Sequence, residues 1–370
     1  MIYQVADMTK GFATAVSRWA RLGPYYGIFP VEFAFHVINT YSKVGDSILD
    51  PFAGRGSSVF AGSVLGRQST GIEINPVGWI YGQVKLSPAP KELVLLRLAD
   101  IDSKKEDYRS QLKDLPEFYH MAYCPAVLKF LLCARAQLDW KGSNPDRTLM
   151  AVILTYLHAK IGDGLSNQMR GVKSVGMRYA IQWWRANGYT TPPELNAKDL
   201  LEKRICWRYQ KGRPVATPSE VILGDSTKEL KQLANRKYQL LFTSPPYCGV
   251  TDYHADQWLR LWLLGGSAVP STNQAKHKSR FTDRLEYYYL LSEVFERSAE
   301  LMDEKSTIYV RTDKRPYTFN TTLNSLKFYF KNHSVKIVQR PLGQNTKTQT
   351  QLYGDKKMKP GEVDIILTNQ

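Results

Sequence analysis

Tyr238-Gln-Leu-Leu-Phe242 is an apolar run that ends in Thr243-Ser-Pro-Pro-Tyr247, and this junction limits the possible folds more than any other stretch. A short continuous apolar run bounded by a turn reads as a strand buried on both faces of a parallel sheet. Neither proline can donate to a ladder and each fixes its own φ, so the strand stops and the backbone turns rigidly at the sheet's carboxyl edge. Open α/β sheets bind ligands at that edge. The turn presents a hydroxyl (Ser244), a carbonyl freed from pairing (Pro245), a second stiffening ring (Pro246) and an aromatic face (Tyr247). Such a set suits a planar group carrying an amine, although a short motif of this kind also fits a plain turn in which Tyr247 only packs.

A second segment narrows the choice. Ser47-Ile-Leu-Asp50 reads as a short strand running into Pro51-Phe-Ala-Gly54-Arg-Gly56-Ser57-Ser58, then a helical stretch from Val59 to Leu65 and a strand from Ser69 to Ile74. This is a β-α-β unit with an acid, Glu73, near the tip of its second strand. Gly54 and Gly56 permit a tight turn and close approach to a ligand, and the helix start beyond them offers free N–H groups. Glu73 stands where a carboxylate accepts from ribose hydroxyls. The third glycine of the dinucleotide pattern and the lysine of a phosphate loop are both missing. A nucleoside without pyrophosphate fits these features better than a dinucleotide does.

Together these stretches resemble the S-adenosylmethionine-dependent DNA amino-methyltransferases, which act on exocyclic amines of cytosine or adenine. The resemblance lies in Asp50-Pro-Phe-Ala-Gly-Arg-Gly56, Gly71-Ile-Glu-Ile-Asn-Pro76 and Thr243-Ser-Pro-Pro-Tyr247, and extends to Gly23-Pro-Tyr-Tyr-Gly-Ile-Phe-Pro30 and Val221-Ile-Leu-Gly-Asp225-Ser226. It implies an α/β fold: a Rossmann-like, seven-stranded methyltransferase sheet with an inserted, mostly helical second domain. It implies S-adenosylmethionine contacts from Phe29, Pro30, Asp50, Phe52, Gly54, Gly56, Ser57, Glu73, Ile74, Asp225 and Ser226. It implies a catalytic set of Ser244, Pro245, Pro246 and Tyr247. Many relatives place the Ser-Pro-Pro-Tyr motif ahead of the glycine loop, so this chain looks circularly permuted relative to them. The substrate implied is duplex DNA with the target base flipped out, and a cognate restriction endonuclease is the partner such a resemblance brings with it. Ser244 at the head of the motif leans toward N4 of cytosine; N6 of adenine and an RNA amine stay open, as does a non-catalytic nucleic-acid-binding module.

At 370 residues two domains are expected. The boundaries fall at 1–87 and 219–370 for the catalytic domain and 88–218 for a helical insert, with Pro88-Ala-Pro90 marking the first junction. The insert reads as the target-recognition domain. No apolar run approaches the ~20 residues needed to span a bilayer, and Met1 to Lys10 lacks the apolar core of a signal peptide. The four cysteines, Cys124, Cys133, Cys206 and Cys248, are scattered without a Cys-x-x-Cys pair, so neither a metal site nor a disulfide framework is expected. The expectation is a cytoplasmic enzyme in which Cys248 packs rather than reacts.

Net charge is +16, a balance that points to a polyanionic partner. From Arg170 to Arg213 there are ten Lys/Arg against three acids, and from Lys314 to Lys359 ten against one. Side chains suited to nucleic acid are Asn167, Gln168, Arg170 and Lys173 in the insert, with Lys276, Lys278 and Arg280 on a polar loop after the motif. Trp183 and Trp184 either stack on bases or pack inward, and adjacent positions on a helix cannot both do the same. Thr251 to Leu264 reads as one amphipathic helix with Trp258, Leu261 and Trp262 turned to the core. Further strands are expected at Ser306–Arg311, Ser334–Val338 and Val363–Leu367, with a disordered connection over 343–359.

Overall fold

The computed structural model describes residues 11–25, 29–250, 252–270, 279–340 and 361–369. Its strands are β1 (Ser47–Asp50), β2 (Gln68–Glu73), β3 (Glu220–Leu223), β4 (Tyr238–Thr243), β5 (Met302–Asp313), β6 (His333–Arg340) and β7 (Glu362–Asn369). They form one sheet in the order β3-β2-β1-β4-β5-β7-β6. The first five are mutually parallel, and β7 lies antiparallel between β5 and β6. All seven expected strands are present, and the last two make the expected closing pair.

Side chains along the strands alternate between two cores, as a period of two requires. Ile48, Leu240, Phe242, Tyr309 and Ile366 belong to one buried cluster. Their neighbours Leu49, Leu241, Ile308, Val310, Ile365 and Leu367 belong to the other. The second cluster is covered by the Arg284–Leu301 and Pro316–Tyr329 helices. The first is covered by the Val31–Tyr41, Ser57–Val64 and Pro76–Leu86 helices and continues without a break into residues 88–218. That segment is helical, as expected, through Lys91–Lys104, Pro125–Gln137, Asn144–Tyr156, Met177–Ala186 and Ala197–Tyr209. Its Phe118, Leu131 and Ile153 share one core with the sheet face.

One helix expectation is corrected. Thr251 lies outside the described residues, and 252–264 is not a single helix but carries two short ones, Tyr253–Asp256 and Trp258–Leu263. Continuing the helix would require the Asp256 carbonyl to accept from within it; instead that carbonyl accepts from Ser174 N–H at 2.8 Å. Trp258 and Trp262 are buried as expected.

The chain passes from β1 outward through β2 to β3, then returns to the far side of β1 with β4. The strand order therefore reverses between β1 and β4, and their carboxyl ends define the switch-point crevice. The glycine loop leaves β1 there, and Ser244-Pro-Pro-Tyr247 leaves β4.

Candidate functional site

A buried carboxylate joins the two loops. Asp50, the last residue of β1, accepts from Thr243 Oγ1 at 2.6 Å, from Phe52 N–H at 3.1 Å and from the Ser58 hydroxyl. Burial pushes its carboxyl up to about 6, against the lowering effect of those three bonds. Asp50 was expected to face the cofactor. With 1% of its surface exposed and its oxygens occupied within the protein, it is instead the joint that fixes loop to loop.

The glycine loop rests on built supports. Gly54 and Gly56 have φ of 56° and 71°. A Cβ on Gly56 would lie 2.9 Å from the Gly82 Cα, so both the turn and the helix packing demand glycine there. Beneath, buried Arg55 donates to the Gly23 carbonyl at 2.8 Å, and buried Lys85 donates to the Arg55 carbonyl at 2.8 Å. Burial lowers the Arg55 guanidinium to about 10. From the side, Glu73 accepts Gly54 N–H through Oε2 and Asn75 N–H through Oε1, each at 2.7 Å. Burial raises the Glu73 carboxyl to about 8; the two N–H bonds oppose this and the nearby Asp50 adds to it. The remaining loop residues are also anchored. Phe52 packs against the second core, Ser57 is buried beside Arg55, and buried Ser226 donates to the Pro51 carbonyl.

Asp225 follows β3, the neighbour of β2, and Gly224 N–H donates to the Glu73 carbonyl at 3.0 Å, so the two acids stand side by side. Ile74, just past Glu73, is 36% exposed. Asp225 Oδ1 accepts from Thr227 N–H and Oγ1, and its Oδ2 is paired with Arg280 at 2.5 Å. Burial raises the Asp225 carboxyl, but the Arg280 and Thr227 contacts outweigh this and leave it below its ordinary range. Arg280, expected on nucleic acid, is thus engaged with a pocket acid. The Ser279–Thr282 turn that carries it also accepts Gly249 N–H at the Phe281 carbonyl, 2.7 Å away.

At the β4 end, Pro245 and Pro246 are buried, while Ser244 and Tyr247 are partly accessible. Among the described residues no donor reaches the Pro245 carbonyl. The Tyr247 hydroxyl donates to Glu362 at 3.3 Å, and burial first, then the Glu362 charge, holds its phenol well above the usual range. Glu362 in turn lies 3.4 Å from Arg311, whose fork grips Asp364 at 2.7 and 3.0 Å. Arg311 also sits 3.4 Å above the Phe33 ring. Phe33 packs edge-on against Phe242, on which Phe29 stacks at 4.8 Å. Pro30 caps the helix carrying Phe33. Residues 26–28 of the Gly23–Pro30 segment lie outside the described residues, as do Lys276, Lys278 and the 343–359 connection. Burial pushes the Cys248 thiol up, in keeping with a packing role.

The insert residues chosen for nucleic acid are placed differently from expectation. Asn167 is 0% exposed; its amide donates to the Met121 and Tyr189 carbonyls at 3.0 and 2.9 Å, and its Oδ1 accepts from Gln168 N–H. Both amide protons are used, so it is a framework residue. Gln168 accepts from Ile161 N–H at 3.1 Å through its side chain. Lys173 is paired with buried Asp256. Arg170 is exposed, and its carbonyl accepts from buried His158 at 2.6 Å.

Sequence reasoning missed Thr243 as the partner of Asp50, and the Arg311–Asp364–Glu362 network. The signal for the latter was present. A charge inside each of two apolar strands, Tyr309-Val-Arg311 and Val363-Asp-Ile365, calls for a partner on a neighbouring strand.

Residues 6–77 match a family model described as DNA methylase. The Type II methyltransferase M.MthZI of Methanothermobacter thermautotrophicus is 45% identical over 47 residues, 13% of this chain and 13% of that protein. The Type II methyltransferase M.BsoBI of Geobacillus stearothermophilus is 25% identical over 312 residues, 75% of this chain and 60% of that protein. Among solved structures, the rRNA methyltransferase aviRa from Streptomyces viridochromogenes is similar at a TM-score of 0.32 and 14% identity, with 97% of this chain and 96% of that chain covered. The chain spans between 13% and 60% of the length of the curated relatives it matches. The segment that matches the family model includes β1, the glycine loop and Glu73 at the end of β2, and over that segment the chain is similar to DNA methylases.

Proposed function

We propose that this chain is a site-specific DNA methyltransferase that transfers a methyl group from S-adenosylmethionine to the exocyclic N4 of a cytosine extruded from duplex DNA. The observation that carries the reading is the 2.6 Å bond from Thr243 to Asp50 at the switch point, which makes one crevice of two loops far apart in sequence. The residues on the cofactor side fit a nucleoside. Glu73 and Asp225 supply an adjacent carboxyl and carboxylate for hydroxyl and amine donors, and Ile74 offers an accessible apolar surface beside them. Above Gly54 a Cβ would meet only the Tyr25 ring, at 4.0 Å, so the loop leaves room for a ligand. When bound, S-adenosylmethionine supplies an electrophilic methyl group.

The residues of this chain do the positioning. Extruding the base costs about a few kcal/mol, offset by contacts in the pocket. Ser244 Oγ and the Pro245 carbonyl accept from the two amine protons, and the Tyr247 ring, held at its hydroxyl by Glu362, stacks on the base. These contacts turn the nitrogen lone pair out of conjugation and toward the methyl group, and orientation of this kind supplies much of the rate. The N–C bond forms as the sulfur–methyl bond breaks to leave a neutral thioether, and the proton displaced from the amine nitrogen passes to water, so no dedicated general base is invoked. On this reading the biological partner is a restriction endonuclease with the same recognition sequence.

The test is to sequence DNA from cells expressing the chain by a method that reads methylated bases in context. N4-methylcytosine at one short sequence is expected. N6-methyladenine would overturn the choice of base, and modification of RNA alone would overturn the choice of nucleic acid.

A further inference from the structure

We infer that the Met177–Ala186 helix is the element of the insert that docks on duplex DNA, entering the major groove with a face of arginine, glutamine and aromatic side chains. The inference rests on the proposed function and names the surface that would receive its substrate. The helix is strongly two-faced. Ala180 and Trp184 are buried, with Trp184 stacked on Phe118 at 5.5 Å. On the other side Arg178, Gln182 and Arg185 form one exposed column, and Tyr179 and Trp183 an adjacent one. Tyr179 is 60% and Trp183 36% exposed.

Aromatic area of that size on a solvent-facing helix calls for a partner, and the charge says which. Between Asp163 and Glu194 the chain carries Arg170, Lys173, Arg178 and Arg185 and no acid. Arg178 has no ion pair among the described residues, and Arg185 meets Glu117 only at the surface, where release costs little. Gln and Arg can bond base edges in the major groove, which admits an α-helix. Basic and aromatic side chains together suit a polyanion carrying planar bases.

The face is also held in register with the crevice. Trp183 lies flat on Tyr189, at 5.5 Å and 11°, and the Tyr189 carbonyl is fixed by Asn167. The segment entering the helix is tied to the element that follows the Ser-Pro-Pro-Tyr loop. Ser174 N–H donates to the Asp256 carbonyl at 2.8 Å, and the Trp258 indole donates to the Val175 carbonyl at 3.0 Å. Buried Arg260 donates to the Gly171 carbonyl at 2.5 Å. These bonds fix the start of the helix to the stretch that follows Tyr247.

The experiment compares Arg178→Ala, Gln182→Ala, Tyr179→Ala and Trp183→Ala with wild type in the full chain. Binding to a fluorescein-labelled mixed-sequence duplex is read by anisotropy, and methyl incorporation into unmethylated genomic DNA is read with radiolabelled S-adenosylmethionine. Each change should weaken duplex binding about fivefold or more, and Arg178→Ala should reduce the salt slope by about one. Cofactor binding by calorimetry should stay unchanged. Lys305→Ala removes the same charge at the amino-terminal end of β5, opposite the crevice, and should shift binding less than about twofold. Helix variants that bind and methylate duplex DNA no worse than Lys305→Ala overturn the docking face and leave the proposed function standing. A wild-type chain that binds S-adenosylmethionine but neither binds nor modifies duplex DNA, taking RNA or a protein instead, overturns both. If Trp183→Ala fails to fold, the exposed Arg178 and Gln182 changes still decide.

Discussion

Glu73 has one role visible at the tip of β2 and a second that follows from the proposed function, and titration separates them. Its oxygens hold Gly54 and Asn75 N–H groups in place, while its position suits ribose hydroxyls. Burial takes its carboxyl from the ordinary 4.5 to about 8. Between those values the folded chain keeps a proton that the unfolded chain has released. The contribution to stability is therefore full below about 4.5 and is lost as pH rises through about 8. Asp50, raised from 3.8 to about 6, acts in the same direction. The thermal midpoint should fall as pH is raised from about 5 to about 8, and Glu73→Gln should flatten that fall; an unchanged slope in scanning calorimetry would refute the assignment. Glutamine cannot accept both N–H groups equally well, so the same variant should weaken cofactor binding about tenfold, the order of one hydrogen bond. Ser244→Ala should do the reverse, lowering kcat by about a hundredfold with cofactor affinity unchanged, as expected for loss of one orienting contact. Equal loss of cofactor binding in both variants would contradict the division of roles.

Among the elements, the joint between β5 and β7 is the most exacting. Asp364 is 0% exposed and depends on Arg311 and on the Tyr309 hydroxyl at 2.6 Å. Arg311→Met should cost about 3–5 kcal/mol by leaving that carboxylate without its ion-pair partner, and adding Asp364→Leu should recover part of the loss. Urea denaturation of both variants measures it, and a double variant no more stable than the single one would argue against an unpaired charge as the cause. The Ser279–Thr282 turn offers a second case. Arg280 occupies the Asp225 oxygen that a ligand amine would have to share, so Arg280→Ala should tighten cofactor binding by about threefold to tenfold, in line with a pair worth roughly 1 kcal/mol. Weaker binding in that variant would mean that the arginine itself contacts the ligand. Strands were legible in the sequence because those buried in a parallel sheet are continuous apolar runs, as at Tyr238–Phe242. The Thr251–Leu264 helix was misread because periodicity reports which face is buried and says nothing of a distant N–H such as that of Ser174. Asn167 was misassigned for a related reason. An amide able to bond a base edge is equally able to bond two carbonyls, and burial decides between them.

For the whole molecule, charge sets the expected behaviour with nucleic acid. A chain of net charge +16 that neutralises on the order of six phosphates should lose roughly a thousandfold in duplex affinity between about 50 and about 200 mM salt. A flat salt dependence in anisotropy titrations would mean that the excess charge does not face DNA. The meeting of the glycine loop with the Ser-Pro-Pro-Tyr loop was legible from two strand ends with ligand-type turns, since a sheet that reverses its strand order brings such ends together. How closely the insert fuses with the sheet was not, because hydrophobic spacing marks a helix as amphipathic without naming the surface it covers.

The bond from Ser174 to the Asp256 carbonyl has a practical consequence for re-engineering. Because it ties the segment before the Met177–Ala186 helix to the stretch beyond the Ser-Pro-Pro-Tyr turn, residues 88–218 exchanged as a cassette between homologues should lose that attachment. A chimera would have to bring its own counterpart of the 252–263 stretch, or the grafted piece would be held by its shared core alone.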